Sequence, residues 1–217
     1  MKLCIPFVLL CLANLSTFGD DPPKAPVVKE PALREELLKR TKTDQEARFA
    51  LINFMKANDN LDMTKLSQEK QVEYMKLSEA VGKADQENTK WLKAVIEKHG
   101  WPTFTLVGKD GAQSAWLLVQ HADADPKFQR QCLDLMIKQP KTEVSLSNLA
   151  YLTDRVLLAE GKKQLYGTQF IRILGKSQPR PLEDEENVDK RRAEMGLSTL
   201  ADYAKIIEQQ YGSNKKK

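Results

Sequence analysis

Apolar residues recur at three- and four-residue spacing along most of the chain, which is the pattern of helices that bury one face. The first such stretch begins at Pro31, because proline suits the first position of a helix, and it continues to Met55. The polar run Arg40–Gln45 interrupts it, and a Thr43-x-x-Glu46 capping box falls there. The pattern therefore predicts either one long helix or two helices in series. Further helices are predicted at Ser67 to about Val81 and at Asp85 to His99, with Gly82 between them.

The second half of the chain alternates between helical and extended patterns. Thr103–Val107 is β-branched and follows the rigid pair Trp101–Pro102, so a strand or extended segment is predicted there. Ala112–Ala122 is apolar on nearly every face, which is typical of a helix central to a core. Gln164–Leu174 loses the helical period and is rich in Tyr, Thr, Phe and Ile, which predicts a short extended element. The remaining predicted helices are Pro126–Lys138, Ser145 or Ser147 to Gly161, Glu186–Met195 and Ser198–Tyr211.

These patterns predict a mainly α fold, a multi-helix domain with one small extended or β element near residues 164–174. The chain of 217 residues, 41% of them hydrophobic, is long enough to bury a core. The predicted organisation is a signal peptide at 1–19, a Pro-rich linker at 20–30, an N-terminal helical segment at 31–84, a helical core domain at 85–211 and a basic tail at 212–217.

The beginning of the chain has the layout of a secretory signal peptide. Lys2 precedes the apolar run Leu3–Leu15, and the small residues Thr17 and Gly19 suit cleavage after Gly19. A lipoprotein attached at Cys11 and an uncleaved anchor are alternatives. The first is disfavoured by the bulky residue before Cys11, and the second by the length of the run. We therefore expect a secreted or periplasmic protein with no membrane span after cleavage.

Charge and cysteine content narrow the classes of function. The chain has 34 basic and 30 acidic residues, and this near balance gives little support for nucleic-acid binding. Cleavage after Gly19 would leave Cys132 as the sole cysteine, which excludes an intramolecular disulfide. Apolar neighbours of Cys132 indicate a buried thiol rather than a nucleophile.

Polar chemistry is concentrated where the apolar helix ends, at His121, Asp123 and Asp125. A metal site made by these three is disfavoured, because side chains two residues apart diverge on a helix. No metal and no cofactor are therefore predicted. Asp125 before Pro126 is expected to cap the next helix, and His121 to be a hydrogen-bonded residue at a helix end. In a catalytic alternative, His121 is a general base oriented by Asp123 or Asp154.

A second polar group follows later in the chain. Asp154, Arg155, Tyr166 and Gln169 supply groups able to bind an anionic or amide-bearing ligand, or to form an internal polar network. Nothing between Pro31 and Lys98 has a recognisable catalytic pattern. The residues proposed to contact a ligand are Trp101, Asp125, Gln129, Arg155, Tyr166 and Gln169.

The order of motifs from Asn88 onward resembles an uncharacterised bacterial family, domain of unknown function 6624. The resemblance implies domain identity and no particular reaction. The matching pieces are Gly100-Trp-Pro-Thr103, Val107-Gly108, Ala115-Trp-Leu-Leu-Val-Gln-His-Ala-Asp123, Phe128-Gln129, Leu149-Ala-Tyr-Leu-Thr-Asp-Arg155, Tyr166-Gly-Thr-Gln169 and Asp189-x-Arg191-Arg192.

The expected function is that of an exported helical module that binds a small ligand or an envelope protein at a polar cluster around His121. One alternative is an envelope hydrolase that uses His121 as its base. Another is a purely structural helical protein. They differ in whether His121 and the later groups Asp154, Arg155 and Gln169 meet in one open pocket.

Overall fold

The computed structural model describes residues 28–58, 63–173 and 176–211. The fold in these ranges is mainly helical with one small antiparallel sheet, as predicted. Its elements are α1 (Pro31–Ala57), α2 (Gln68–His99), α3 (Phe104–Gln120), α4 (Pro126–Ile137), α5 (Leu146–Ala159), β1 (Phe170–Ile173), β2 (Lys176–Pro179), α6 (Val188–Glu194) and α7 (Leu200–Tyr211).

The predicted signal peptide, most of the predicted linker and the basic tail lie outside the described residues. Among the helices that are described, none has both the length and the apolar character needed to cross a membrane. The described chain forms two compact units, an N-terminal unit of residues 28–148 and a C-terminal unit that begins at residue 149. The predicted boundary between residues 84 and 85 falls inside α2.

Helix α1 is one long helix, so the first of the two predicted alternatives is correct. Its buried residues are Leu37, Asp44, Arg48 and Phe54, and α1 packs against α2 and α3. The polar run that interrupts the apolar pattern therefore does not break the helix. It includes the buried Asp44, and a second charged residue, Arg48, follows one turn later on the same face.

Helix α2 is continuous, so the prediction of two helices separated at Gly82 is wrong. A single glycine inside a helix costs only about 1 kcal/mol, which is less than the cost of ending one helix and nucleating another. The Ser67 hydroxyl caps the start by accepting from the Lys70 amide. Leu92, Val95 and Ile96 are buried in the second half.

The strand predicted at Thr103–Val107 is also wrong, because α3 begins at Phe104. The Thr103 hydroxyl accepts from the Leu106 amide 3.3 Å away and caps the first turn. The helix is interrupted at Gly108, whose φ of 76° lies in the left-handed region. Local β propensity is overridden here by the cap and by the complete burial of Val107.

The C-terminal unit contains the predicted extended element. Strand β1 pairs with β2 in antiparallel register, with Phe170 opposite Pro179. Phe170, Tyr203 and Ile207 form the buried cluster between this hairpin and α7. The Phe170 and Tyr203 rings meet edge to face at 5.5 Å between centroids, an arrangement that aromatic pairs favour.

Candidate functional site

His121 lies at the C-terminal end of α3, in the N-terminal unit, where it faces residues of two other helices. Its Nδ1 lies 2.9 Å from Asp44 Oδ2 and 3.0 Å from Arg48 Nε, both on α1. Arg48 Nη2 donates to Asp85 Oδ1 on α2. We call Asp44, Arg48, Asp85 and His121 the charged cluster.

Burial makes the charged cluster unusual. The side chains of Asp44, Arg48 and His121 are 1%, 5% and 9% exposed, whereas that of Asp85 is 25% exposed. Asp85 is therefore the member through which the cluster meets solvent. When His121 is neutral, two carboxylates and one guanidinium leave the cluster with a net negative charge.

The two carboxylates have opposite pKa displacements. Burial raises the pKa of Asp85 to about 6, and the nearby charges of Asp44 and Asp123 add to this, while Arg48 opposes it. For Asp44, burial alone would raise the pKa, but the hydrogen bond from His121 and the charge of Arg48 hold it below its usual value. Asp44 is thus the carboxylate held ionised at the centre of the cluster.

Three of these four residues were missed by sequence reasoning, which found no chemistry between Pro31 and Lys98. A signal was present in the polar interruption of α1. Asp44 and Arg48 are spaced i, i+4 on the helix face that buries Leu37, so they are two charges on an inward face. Nothing comparable marks Asp85.

The other polar residues after His121 form a helix-capping arrangement. Asp125 caps α4 by accepting from the Phe128 amide at 3.0 Å, as predicted, and pairs with Lys93. Gln129 is buried and its side-chain amide donates to the carbonyl of Val119 at 3.0 Å. The same amide donates to Asp123 Oδ1 at 3.2 Å. Gln129 therefore ties the C-terminal end of α3 to α4.

Asp154 belongs to the C-terminal unit, where it holds the loop that precedes β1. Its completely buried carboxylate accepts from the backbone amides of Leu165 and Thr168 at 2.7 and 2.8 Å. The Tyr166 amide and the Thr168 hydroxyl also donate to it, at 3.0 and 2.9 Å. Burial raises the pKa of Asp154 in spite of these bonds.

The same loop is held from its other side. Arg192 Nη1 donates to the Tyr166 carbonyl at 2.6 Å, and the Gln169 side chain donates to the Thr168 hydroxyl at 3.1 Å. Gln164 is completely buried and bonds the backbone of Gln169 in both directions. These contacts form the internal polar network that was the alternative to a ligand site.

The remaining residues predicted to contact a ligand are placed as follows. Trp101 is 3% exposed and belongs to the hydrophobic core of the N-terminal unit. Arg155 is half-buried on α5 in the C-terminal unit.

His121 and Asp154 lie in different units, and the hydrogen bonds described above join each to residues of its own unit. Cys132 is a buried free thiol.

Comparison with known proteins assigns the chain to a family. Residues 31–216 match the model of a family described as "Family of unknown function (DUF6624)", which covers most of the chain. The protein therefore belongs to the domain of unknown function 6624 family. No curated protein and no solved structure matches the chain.

Proposed function

We propose that the protein is an exported binding module whose ligand site is the charged cluster. The observation that carries the proposal is the convergence of Asp44 and Arg48 from α1, Asp85 from α2 and His121 from the end of α3. The export part rests on the predicted signal peptide at residues 1–19.

A purely structural role accounts poorly for such a cluster. Transferring charged groups from water into a protein interior costs several kcal/mol per ion, and apolar residues of similar volume often give an equally stable fold. The N-terminal unit has many apolar contacts of its own, including Leu37, Leu92 and Trp116. Three buried polar side chains, Asp44, Arg48 and His121, beside the partly exposed Asp85 are better explained by something that they bind.

The burial limits the size of the ligand. Asp44, Arg48 and His121 are almost inaccessible to solvent, and Asp85 is the member of the cluster with substantial exposure. The ligand therefore reaches the cluster past Asp85. A small charged or strongly polar species fits this description, whereas a polymer does not. One shallow surface groove lies on the first half of α2 and another lies between that half and the end of α1, and their linings include no member of the cluster.

A thermal-shift screen with small cations, anions, amides and sugars tests the proposal. A true ligand is expected to raise the Tm of the full chain. Asp85→Asn is expected to remove most or all of that increase in Tm, because it removes the charge of the exposed member of the cluster. Asp134→Asn is the matched control, since Asp134 is an exposed carboxylate on α4 with 52% side-chain exposure. It is expected to keep the full shift.

Two outcomes would contradict the proposal. In the first, no compound in the screen raises the Tm. In the second, the compounds that do raise it act equally on the wild type and on Asp85→Asn. Circular dichroism of the two variants confirms that both retain their helices.

A further inference from the structure

We propose that the charged cluster binds one divalent transition-metal cation through Asp44, Asp85 and His121. This inference rests on the proposed function and specifies its ligand. It differs from the metal reading of the sequence, which involved Asp123 and Asp125. Those residues are not needed here, since the carboxylates come from α1 and α2.

The charged cluster contains a set of donors suited to a metal. One carboxylate oxygen from each of Asp44 and Asp85 and one imidazole nitrogen of His121 lie within 4.8 Å of one another. Two carboxylates and one imidazole are typical of sites for zinc and neighbouring first-row metals. Ligand atoms around one such cation, each about 2.1 Å from it, lie roughly 3–4 Å apart, so small side-chain movements would close the site.

One buried oxygen of the charged cluster is unsatisfied. Asp44 Oδ1 is buried and has no hydrogen-bond partner among the described residues. A buried carboxylate oxygen without a partner keeps the full cost of its lost hydration. A cation bound to Asp44 would offset that cost.

His121 Nδ1 lies within hydrogen-bonding distance of both Arg48 Nε and Asp44 Oδ2, and these two neighbours make conflicting demands on it. If Nδ1 carries a proton, it can donate to Asp44, but then it faces the Arg48 N–H. If Nδ1 carries a lone pair, it can accept from Arg48, but then it faces the lone pairs of Asp44. A neutral imidazole satisfies only one of the two neighbours.

A metal cation resolves this conflict. It attracts the Nδ1 lone pair and the Asp44 carboxylate together, and the net negative charge of the cluster favours its entry. Arg48 then has to withdraw from Nδ1, because a single lone pair cannot serve both a metal and an N–H donor. In the metal-free protein, Arg48 therefore supplies the positive charge beside Asp44 and His121, and a metal has to compete with it.

The imidazole donor decides the class of metal. Magnesium and calcium prefer sites made of oxygen ligands alone, whereas zinc and other late first-row metals favour a nitrogen donor. We therefore expect Zn²⁺ to bind the cluster more tightly than Mg²⁺ or Ca²⁺ does.

Equilibrium dialysis of the purified full chain against Zn²⁺, followed by elemental analysis, measures the stoichiometry and affinity. We expect a single tight site in the wild type and in Asp134→Asn, and an affinity weakened by about tenfold or more in Asp85→Asn. Absence of tight zinc binding, or equal affinity in the wild type and Asp85→Asn, would overturn the inference. So would tighter binding of Mg²⁺ or Ca²⁺ than of Zn²⁺.

A second measurement needs no variant. The chain contains two histidines, His99 and His121, so imidazole NMR resolves each ring. Zinc added to the wild type is expected to shift the His121 nitrogens and to leave those of His99 unchanged. A zinc-induced shift confined to His99, or no shift of His121, would overturn the inference even if Asp85→Asn failed to fold.

The failure of this inference is distinguishable from the failure of the proposed function. If a non-metal compound stabilises the wild type in an Asp85-dependent way while zinc does not bind at His121, the cluster is a ligand site for something other than a metal. If neither zinc binding nor stabilisation by any other compound depends on Asp85, both proposals are wrong.

Discussion

Arg48 is the residue that balances the charges in the interior of the N-terminal unit. Its guanidinium contacts Asp44, Asp85 and His121, and its side chain is 5% exposed. Burial of an ion pair adds little net stability, but removal of one partner leaves the other charge uncompensated. Arg48 is consequently more important to the fold than an arginine at the surface.

Replacing Arg48 by Gln in the metal-free protein is expected to lower the free energy of unfolding by about 3–5 kcal/mol, the typical cost of leaving a buried charge without its partner. Urea denaturation in the presence of a chelator measures the change. Arg130→Gln is the control, because Arg130 pairs with the exposed Asp134 and its loss is expected to cost less than about 1 kcal/mol. Similar losses in the two variants would contradict this account of Arg48.

Cys132 is expected to be unreactive in the folded protein. Burial raises the pKa of its thiol to about 12, and the charge of Asp125 adds to the effect. The thiolate is the reactive form and predominates above the pKa, so its fraction at pH 8 is roughly a thousandfold below that of an ordinary thiol with a pKa of 9.0.

Iodoacetamide labelling at about pH 8, with peptide mass spectrometry at Cys132, tests this expectation. Labelling of the native chain is expected to be at least about a hundredfold slower than labelling in urea, because access and ionisation are both restricted. Comparable rates in the two conditions would show that the thiol is accessible and not buried as described.

At the scale of the element, two glycines in neighbouring helices have opposite roles. Gly82 lies inside α2 with open space where a side chain would be, whereas Gly108 interrupts α3 with a positive φ. A Cβ at Gly108 would also lie 3.0 Å from Asp110 Oδ1. Alanine is therefore compatible with the backbone at Gly82, whereas at Gly108 it would strain the backbone.

Gly82→Ala is expected to raise the free energy of unfolding by about 0.5–1 kcal/mol, and Gly108→Ala to lower it by about 1–2 kcal/mol. Each variant serves as the control for the other, since the chemical change is the same. Chemical denaturation gives both values. A loss of stability in Gly82→Ala would contradict the continuous α2.

The loop before β1 depends on a single side chain. Asp154 accepts hydrogen bonds from three backbone amides, of Leu165, Tyr166 and Thr168. Asparagine has one acceptor oxygen, and its NH₂ group would face N–H donors. Asp154→Asn is therefore expected to lower stability by about 2–4 kcal/mol.

Hydrogen exchange locates the effect of Asp154→Asn. The amides of Leu165, Tyr166 and Thr168 should lose protection, while Asp202→Asn, an exposed change on α7, should leave them protected. Unchanged protection in Asp154→Asn would show that other contacts, such as those of Arg192 with the Tyr166 carbonyl, are sufficient to hold the loop.

The elements that sequence reasoning predicted correctly are those with strong local signals. The Asp125–Pro126 start of α4 and the loss of helical period near Phe170 both depend on neighbouring residues. The two wrong predictions, at Gly82 and at Thr103–Val107, were made where a weak local preference opposed favourable packing or capping. A helix tolerates one glycine, and a segment of five residues, four of them β-branched or aromatic, does not make a strand without a partner strand.

At the scale of the whole molecule, the proposal of export leads to a prediction about processing. In a bacterial host, the chain is expected in the periplasm or the medium with Asp20 as its first residue. Leu9→Arg, which places a charge in the apolar run Leu3–Leu15, is expected to leave the precursor uncleaved inside the cell. Leu9→Ile is the matched control.

Intact mass and cell fractionation decide the outcome. A product that begins at Asp20 supports cleavage after Gly19. A lipid-modified product that begins at Cys11 would favour the lipoprotein alternative, and an exported Leu9→Arg chain would contradict the role of the apolar run.

The polar groups that the ligand-site hypotheses required in one open pocket separate into two sets. His121, Asp123, Asp125 and Gln129 belong to the N-terminal unit, whereas Asp154, Tyr166 and Gln169 belong to the C-terminal one. Each set has hydrogen-bond partners inside its own unit. Sequence order alone cannot reveal this, because nearness along the chain says nothing about which helix a side chain will face.

The helical class, the cap at Asp125 and the extended segment near residue 170 follow from the sequence by itself, because each depends on spacing or on residues a few positions apart. The partners of His121 were decided by tertiary structure. Arg48 is 73 positions away from His121, and Asp85 is 37 positions from Arg48. Such distant charges meet because α1, α2 and α3 pack together, and that packing depends on the apolar surfaces of all three helices at once.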